Sequence, residues 1–340
     1  MLTLLRSLVK KSKIMIIAYH IYDNWRTKRR FLSGKNESCS GSTHAGMSLS
    51  SSLDYINQVF NDYLKYSGIS TTMLRNKRVL EIGPGDNFGV ALKFLVAGAQ
   101  KVVCLDKFFS QRNPEKQYRI YQELRAQLNE NERRMYDSII NLDKGITIDP
   151  QKLLYIHGTG IEGADKIFDP ASFDFILSRA VLEHLYDSDM AFGVMDRLLI
   201  PGGYMIHKID FMDHGLFSGK GFHPLTYLTI SEPIYKLMTY YSGKPNRRLI
   251  NYFKQKLSEL RYDTKIFITH IVGMESEMMP HKETVVYGVD YFDSTISLLK
   301  IIRPRLQCEF KNIPDEELMV QGIFLIAKKF SPWESLSHEK

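Results

Sequence analysis

Cysteine is scarce in this chain: three thiols, Cys39, Cys104 and Cys308, stand among 340 residues. No two lie at metal-ligand or redox spacing, which excludes a disulfide framework and a thiolate zinc site and makes a reducing cytoplasm the expected compartment. Long apolar runs are missing too. The longest, Ile14 to Tyr22, is broken by His20 and falls short of the ~20 apolar residues that a bilayer span needs. No small-residue cleavage site follows an unbroken apolar core, so no signal peptide is expected. Internal repeats are absent. With 44% hydrophobic and 24% charged residues, what remains is a globular, enzyme-sized chain.

The net charge of +7 is local. Residues 1–30 hold eight basic side chains (Arg6, Lys10, Lys11, Lys13, Arg26, Lys28, Arg29, Arg30) against Asp23 alone, and the other 310 residues carry 37 of each sign. A general nucleic-acid binder would carry a basic face on the folded domain itself. Nucleic acid is therefore not an expected partner.

The chain divides into three parts. Residues 1–32 form a basic arm with Leu4, Leu5, Leu8 and Val9, then Ile14 to Ile17, Tyr19, Ile21, Tyr22 and Trp25, at amphipathic helical spacing. Such an arm suits an anionic membrane surface, or else packs on the enzyme itself or on a second subunit. Residues 33–52, rich in Ser, Gly and Asn, read as a flexible linker. From 53 to 330 a catalytic domain is expected, with a lead-in helix from Leu53 to Gly68 and then alternating strand and helix patterns.

Arg78 to Ile82 reads as a strand, Gly83-Pro84-Gly85 as a tight turn and Gly89 to Ala97 as a helix, with Asp86 or Asn87 capping its start. A second strand, Lys101 to Leu105, ends in Asp106, 21 residues past Gly85. A carboxylate at about that distance can grip a ribose diol with two hydrogen bonds.

Farther on, Ser172-Phe173-Asp174-Phe175-Ile176-Leu177-Ser178-Arg179-Ala180-Val181-Leu182-Glu183-His184 resembles the fourth strand and following helix of class I S-adenosylmethionine-dependent methyltransferases. Leu198-Leu199-Ile200-Pro201-Gly202-Gly203 is similar to their turn into the fifth strand, and a closing strand falls near Gly322 to Lys329. Residues 53–110, with Tyr63-Leu64-Lys65-Tyr66-Ser67-Gly68, also look like a bacterial subgroup tied to surface-polysaccharide and secondary-metabolite pathways. The resemblance implies an α/β Rossmann-like fold: a seven-stranded, mostly parallel sheet with helices on both faces. It implies S-adenosylmethionine as cofactor, with Glu81, Gly83 and Gly85 at the methionine end, Asp106 on the ribose, and Ser178 and Arg179 bordering it. Two departures stand out. Asn87 occupies the place of a third glycine, and Tyr155 to Glu162 offers no aspartate for the adenine, leaving the Gly160 and Ile161 backbone or Glu162.

A hydroxyl acceptor is helped by a base as it loses its proton. Ligands of open parallel sheets sit outside the strands' carboxyl ends, where His184, His207, Asp210, Asp213, His214 and His223 fall. His214 or His184 is the expected base, with Asp210 orienting it. Magnesium on Asp210, Asp213 and His214 is disfavoured, because such sites usually show more carboxylates. Residues 211–300 read as an insertion capping the substrate, where Phe217, Phe222, Tyr227, Tyr235, Tyr240 and Tyr241 build mainly its core and Arg247 and Arg248 stay open as ligands of an acidic acceptor. The expected reaction is O-methylation of a sugar, glycan or other polar metabolite. The alternatives are an RNA or protein methyltransferase, or a non-catalytic cofactor-binding partner. Against base methylation, no Asn-Pro-Pro-Tyr or Asp-Pro-Pro-Tyr motif follows the fourth strand.

Overall fold

A computed structural model describes residues 12–33, 37–38 and 43–331. The apolar and basic residues of the arm before Ser12, and Cys39, lie outside the described residues. Seven strands form the central sheet: Arg78–Ile82 (β1), Lys101–Asp106 (β2), Leu153–His157 (β3), Phe173–Arg179 (β4), Leu199–Asp210 (β5), Tyr262–Ile271 (β6) and Val320–Lys329 (β7). Their order across the sheet is β6-β7-β5-β4-β1-β2-β3. The first five run parallel, and β7 lies antiparallel between β5 and β6. This is the expected Rossmann-like sheet.

Side-chain alternation splits the interior in two. Val79, Val102, Cys104, Phe175 and Leu177 face one layer, formed by Leu49–Ser67 (α2), Gly89–Val96 (α3), Pro114–Ala126 (α4) and Glu130–Ile139 (α5). Leu80, Val103, Leu105 and Ile176 face the other, formed by Ser188–Leu198 (α6), Glu232–Thr239 (α7), Ile250–Glu259 (α8) and Asp293–Ile302 (α9). Strands covered on both faces need nearly continuous apolar runs, and all but the first residue of β1 are buried.

Three boundaries differ from the sequence reading. Ser48 caps the lead-in helix at Ser51 N, so α2 starts at Leu49 rather than Leu53 and ends at Gly68 in a left-handed cap. Described parts of the expected linker are structured: Glu37–Ser38 pairs in parallel with Phe109–Ser110, and the Asp86 carboxylate accepts hydrogen bonds from His44 N (3.1 Å) and Ala45 N (2.9 Å). Asp86 is thereby drawn away from α3, and Asn87 Oδ1 takes Gly89 N instead (2.6 Å). The expected 211–300 insertion is also not continuous, because Tyr262–Ile271 is the sheet's edge strand.

Ahead of the sheet, Lys13–Leu32 (α1) packs against α7. Its underside buries Ile16, His20 and Asn24, and Asn24 bonds Leu237 O and Tyr241 N. No helix among the described residues is long and apolar enough to cross a membrane.

Candidate active site

The glycine turn leaves β1 at the carboxyl end of the sheet. Gly83 N donates to Leu105 O (2.8 Å), which draws the turn over the tip of β2. Gly83 has φ +69°, and a Cβ there would come within 2.5 Å of Val181 Cγ2. Both facts require glycine. From below, Arg112 donates to Gly85 O (3.0 Å) and Gln117 to Asp86 O (2.6 Å), while the Arg112 guanidinium stacks on Phe88 and Tyr155. The turn is held before any ligand arrives.

Two cavities flank it and share Gly83, Gly85 and Ala180. The larger, of about 210 Å³, is lined by Asp106, Gly160, Ile161, Glu162, His184 and Tyr186 among others. The smaller, of about 150 Å³, is lined by His44, Tyr55, Tyr63, Glu81, Asn87 and Arg179 among others. Glu81 is buried, and burial raises its carboxyl to about 7 against the opposing effect of the Cys104 thiol, whose sulfur lies 3.5 Å from Oε2. No cation pairs with Glu81 among the described residues. Arg179 across the cavity bonds Asp62 (3.0 Å). A separate hollow of about 420 Å³ behind α2, α3 and α5 touches none of these groups.

Of the expected cofactor residues, Glu81, Gly83, Gly85, Asp106, Gly160, Ile161 and Arg179 all line one or both cavities. Ser178 does not. It is fully buried inside the sheet, and its Oγ pairs with His207 Nδ1 at 2.7 Å. Strand alternation explains this, since Arg179 takes the cavity side and Ser178 the interior. Tyr55 of α2 and His44 of the expected linker were missed. Nothing local marks them: His44 is placed by Asp86 binding the backbone of residues 44 and 45, and Tyr55 by the packing of α2 beside the turn.

His184 lines the larger cavity, and His214 and Asp210 adjoin it. His184 belongs to the one-turn helix Leu182–His184 after β4 and His214 to the turn after β5, and their rings meet edge to face with centroids 5.0 Å apart. His214 Nε2 lies 3.5 Å from Asp210 Oδ2. Burial, aided by the neighbouring His214, lowers His184 to about 4. Beside them is Glu183, 1% exposed, whose carboxyl is pushed well above the usual range by burial.

The remaining candidates serve the fold. His207 is sealed in β5, Asp213 accepts from Gly215 N, Phe217 N and Ser218 N, and His223 bridges Leu225 N and Leu298 O. Asp213 is thus tied into its own turn and is absent from the His214 cluster. Tyr227 and Tyr235 are core residues that donate to Phe211 O and Pro245 O. Arg247 is buried among Glu232, Glu309 and backbone carbonyls, whereas Arg248 is half-exposed over Tyr252.

A sequence family described as "Methyltransferase domain" matches residues 55–256, more than half of the chain. The chain belongs to that family. It is a class I S-adenosylmethionine-dependent methyltransferase, with S-adenosylmethionine as its cofactor. Among solved structures it is similar to phosphoethanolamine N-methyltransferase 2 of Haemonchus contortus in complex with S-adenosyl-L-methionine (16% identity, TM-score 0.42, covering 81% of this chain and 53% of that one). It is also similar to a SAM-dependent methyltransferase of Methanosarcina mazei (14%, 0.40, 80% and 97%) and to one of Archaeoglobus fulgidus (14%, 0.38, 82% and 94%). The chain spans about half the length of the Haemonchus enzyme. No curated protein matches it in sequence.

The methyltransferase site fits its cofactor in one specific respect: Glu81 is a buried carboxylate lining the smaller cavity, without a cationic partner among the described residues, and an ammonium would supply one. With its pKa near 7, Glu81 is neutral in acid and charged above neutrality. Affinity for S-adenosylmethionine is therefore expected to rise as pH increases from about 5.5 to about 7.5, up to tenfold per unit below the pKa. In Glu81→Gln the profile flattens at the weak limit. Calorimetric titration across that range checks this, and a flat wild-type profile would remove Glu81 from the ammonium.

Proposed function

We propose that this methyltransferase transfers its methyl group to a hydroxyl oxygen of a sugar, glycan or similarly polar acceptor. The observation that carries the reading is a third cavity, of about 730 Å³, which meets the cofactor cavity at His184, Leu185, Tyr186 and Gly243. Its walls include Asp189, Glu232, Lys236, Asn246, Arg248 and Tyr252, a mixed set of charged, amide and aromatic groups suited to a polyhydroxylated or anionic molecule. When bound, the cofactor supplies a sulfonium methyl group that an oxygen nucleophile can take by in-line displacement.

In this reading Gly83 and Gly85 admit the ligand to the backbone, Asp106 holds the ribose diol, and Glu81 and Arg179 meet the ammonium and carboxylate of the methionine. Gly160 and Ile161 border the adenine. His184 lines both cavities where they join, with His214 and Asp210 beside it, and the group assists loss of the hydroxyl proton; full activity in both His184→Ala and His214→Ala would remove that role. Transfer of a labelled methyl group into nucleotide sugars and lipid-linked glycans, set against amines, RNA and peptides, tests the acceptor class. Label recovered as an alkali-stable ether on a sugar is expected, and label confined to nitrogen would overturn the reading.

A bacterial cell-envelope or secondary-metabolite role suits such an acceptor, and α1 adds a reason to work at a membrane's cytoplasmic face. With its underside seated on α7, the outward face exposes Ile14, Met15, Tyr19, Tyr22, Trp25 and Leu32 together with Arg26 and Arg29. Ile234 and Leu237 of α7 are exposed alongside. Apolar and aromatic side chains mixed with arginines suit a helix lying flat in an anionic interface. Binding to phosphatidylglycerol vesicles that weakens with salt is expected, and Trp25→Glu with Leu32→Glu should reduce it about tenfold or more. Sedimentation with vesicles checks this. A dimer formed without lipid and lost in the same variant would assign the face to a second copy of the chain.

A further inference from the structure

We propose that Glu183, His184 and His214 bind a divalent transition-metal cation at the junction of the cofactor and acceptor cavities. One ligand atom from each lies within 4.8 Å of the others. Glu183 is 1% exposed, and its Oε2 has no hydrogen-bond partner; His184 Nδ1 is likewise buried and without one. A carboxylate sealed from water without a counter-charge is costly, and a dication between it and two imidazoles removes that cost. The cluster has the unsatisfied atoms of a site and the donor set of a metal.

The surrounding chain holds these groups in place. Asn246 N donates to Glu183 O (2.7 Å) and Asn246 Nδ2 to Leu182 O (2.8 Å), pinning the turn that carries Glu183 and His184. Glu183 Oε1 accepts from Asp210 N (3.3 Å), which leaves Oε2 for the ion. His214 sits at φ +48°, in the left-handed region that a histidine enters at a cost, and this backbone turn brings its ring against His184. Asp210 beside His214 fits the carboxylate that commonly orients a metal-bound imidazole. Bonds of about 2.1 Å place ligand atoms about 3.4 Å apart, so the three side chains close by roughly an ångström around the ion.

Two imidazoles and one carboxylate select manganese, iron, cobalt or zinc over magnesium or calcium, which favour oxygen alone. Three protein ligands leave further positions open, and His184 lines both cavities, so those positions face the acceptor. The inference rests on the reading that the acceptor enters there. Acceptor hydroxyls, a vicinal pair above all, would complete the coordination shell, and the cation would ease loss of the hydroxyl proton.

The test uses the full chain after treatment with a chelator, titrated with Mn2+ alone and followed by loss of the free-ion electron paramagnetic resonance signal, then with Zn2+ by competition. One ion per chain is expected. His214→Ala, at a half-exposed position, should weaken binding by about tenfold or more while thermal stability stays near wild type. Glu183→Gln should do the same, and Co2+ absorption should report nitrogen ligands that disappear in His184→Ala. If neither ion binds the wild type, or if both bind His214→Ala equally well, the metal site is wrong. Calorimetry with S-adenosylmethionine on the same chelated protein separates the two proposals: cofactor binding and methyl transfer without any metal would leave the methyltransferase reading standing and remove only the cation.

Discussion

Asp106→Ala is expected to weaken S-adenosylmethionine binding by about 100-fold or more while leaving the maximal rate at saturating cofactor close to wild type. Asp106 ends β2 at the wall of the larger cavity; Oδ1 accepts a hydrogen bond from Phe108 N at 3.1 Å, and the Ser110 side chain also bonds the carboxylate. The carboxylate lines the cavity, where a ribose diol would donate two hydrogen bonds to it. A hydrogen bond to a charged group is worth roughly 1.5–3 kcal/mol, so loss of both costs about 3 kcal/mol or more, and each 1.4 kcal/mol is a factor of ten. Asp106→Asn keeps an acceptor but adds a donor and should fall between. The ribose diol takes no part in the bonds made or broken in methyl transfer, so the effect appears in KM and Kd rather than kcat. Calorimetry and saturation kinetics check the split. Unchanged affinity in Asp106→Ala would place the ribose elsewhere.

The parallel sheet could be read from the chain because each of β1, β2 and β4 is a short apolar run followed by a turn signal, and burial on both faces demands that pattern. β6 was hidden for the same physical reason. As an edge strand it alternates Asp263 and Lys265 with half-covered Thr264 and Ile266, so its pattern merged with the capping segment. At the site, residues directly after a strand were readable, since strand ends converge wherever the sheet is parallel. Groups that arrive from distant segments were not. His44 reaches the smaller cavity because Asp86 binds the backbone of residues 44 and 45, and Tyr55 reaches it from the helix α2. Glu183 was visible beside His184, yet only its burial and its unpartnered Oε2 distinguish it from an ordinary surface glutamate. Ser178 shows the opposite limit: the right segment was identified, but a one-residue change of face sent its hydroxyl to His207.

Arg247→Ala is expected to destabilise the fold by about 3 kcal/mol, whereas Arg248→Ala should change stability by less than about 0.5 kcal/mol. In sequence the two are equal members of a basic run. In the fold, the Arg247 side chain is 2% exposed and its guanidinium donates to Ile230 O (2.6 Å), pairs with Glu232 and Glu309, and lies over the Tyr235 ring. It ties α7 to the Thr226–Thr229 turn and to the short helix Cys308–Lys311. Removing it leaves the buried Ile230 carbonyl without its donor and takes the guanidinium from two carboxylates. Because Glu232 and Glu309 remain about half-exposed (45% and 46%), solvent recovers part of the loss, which places the cost at the lower end of the range for a broken buried pair. Arg247→Lys keeps the charge without the planar fork and should be intermediate. Arg248, 47% exposed and 3.9 Å from Asp189, loses only a solvated pair. Thermal unfolding of both variants measures the contrast, with activity read well below the transition. An Arg247→Ala protein as stable as wild type but unable to methylate would move that guanidinium from the scaffold to the acceptor.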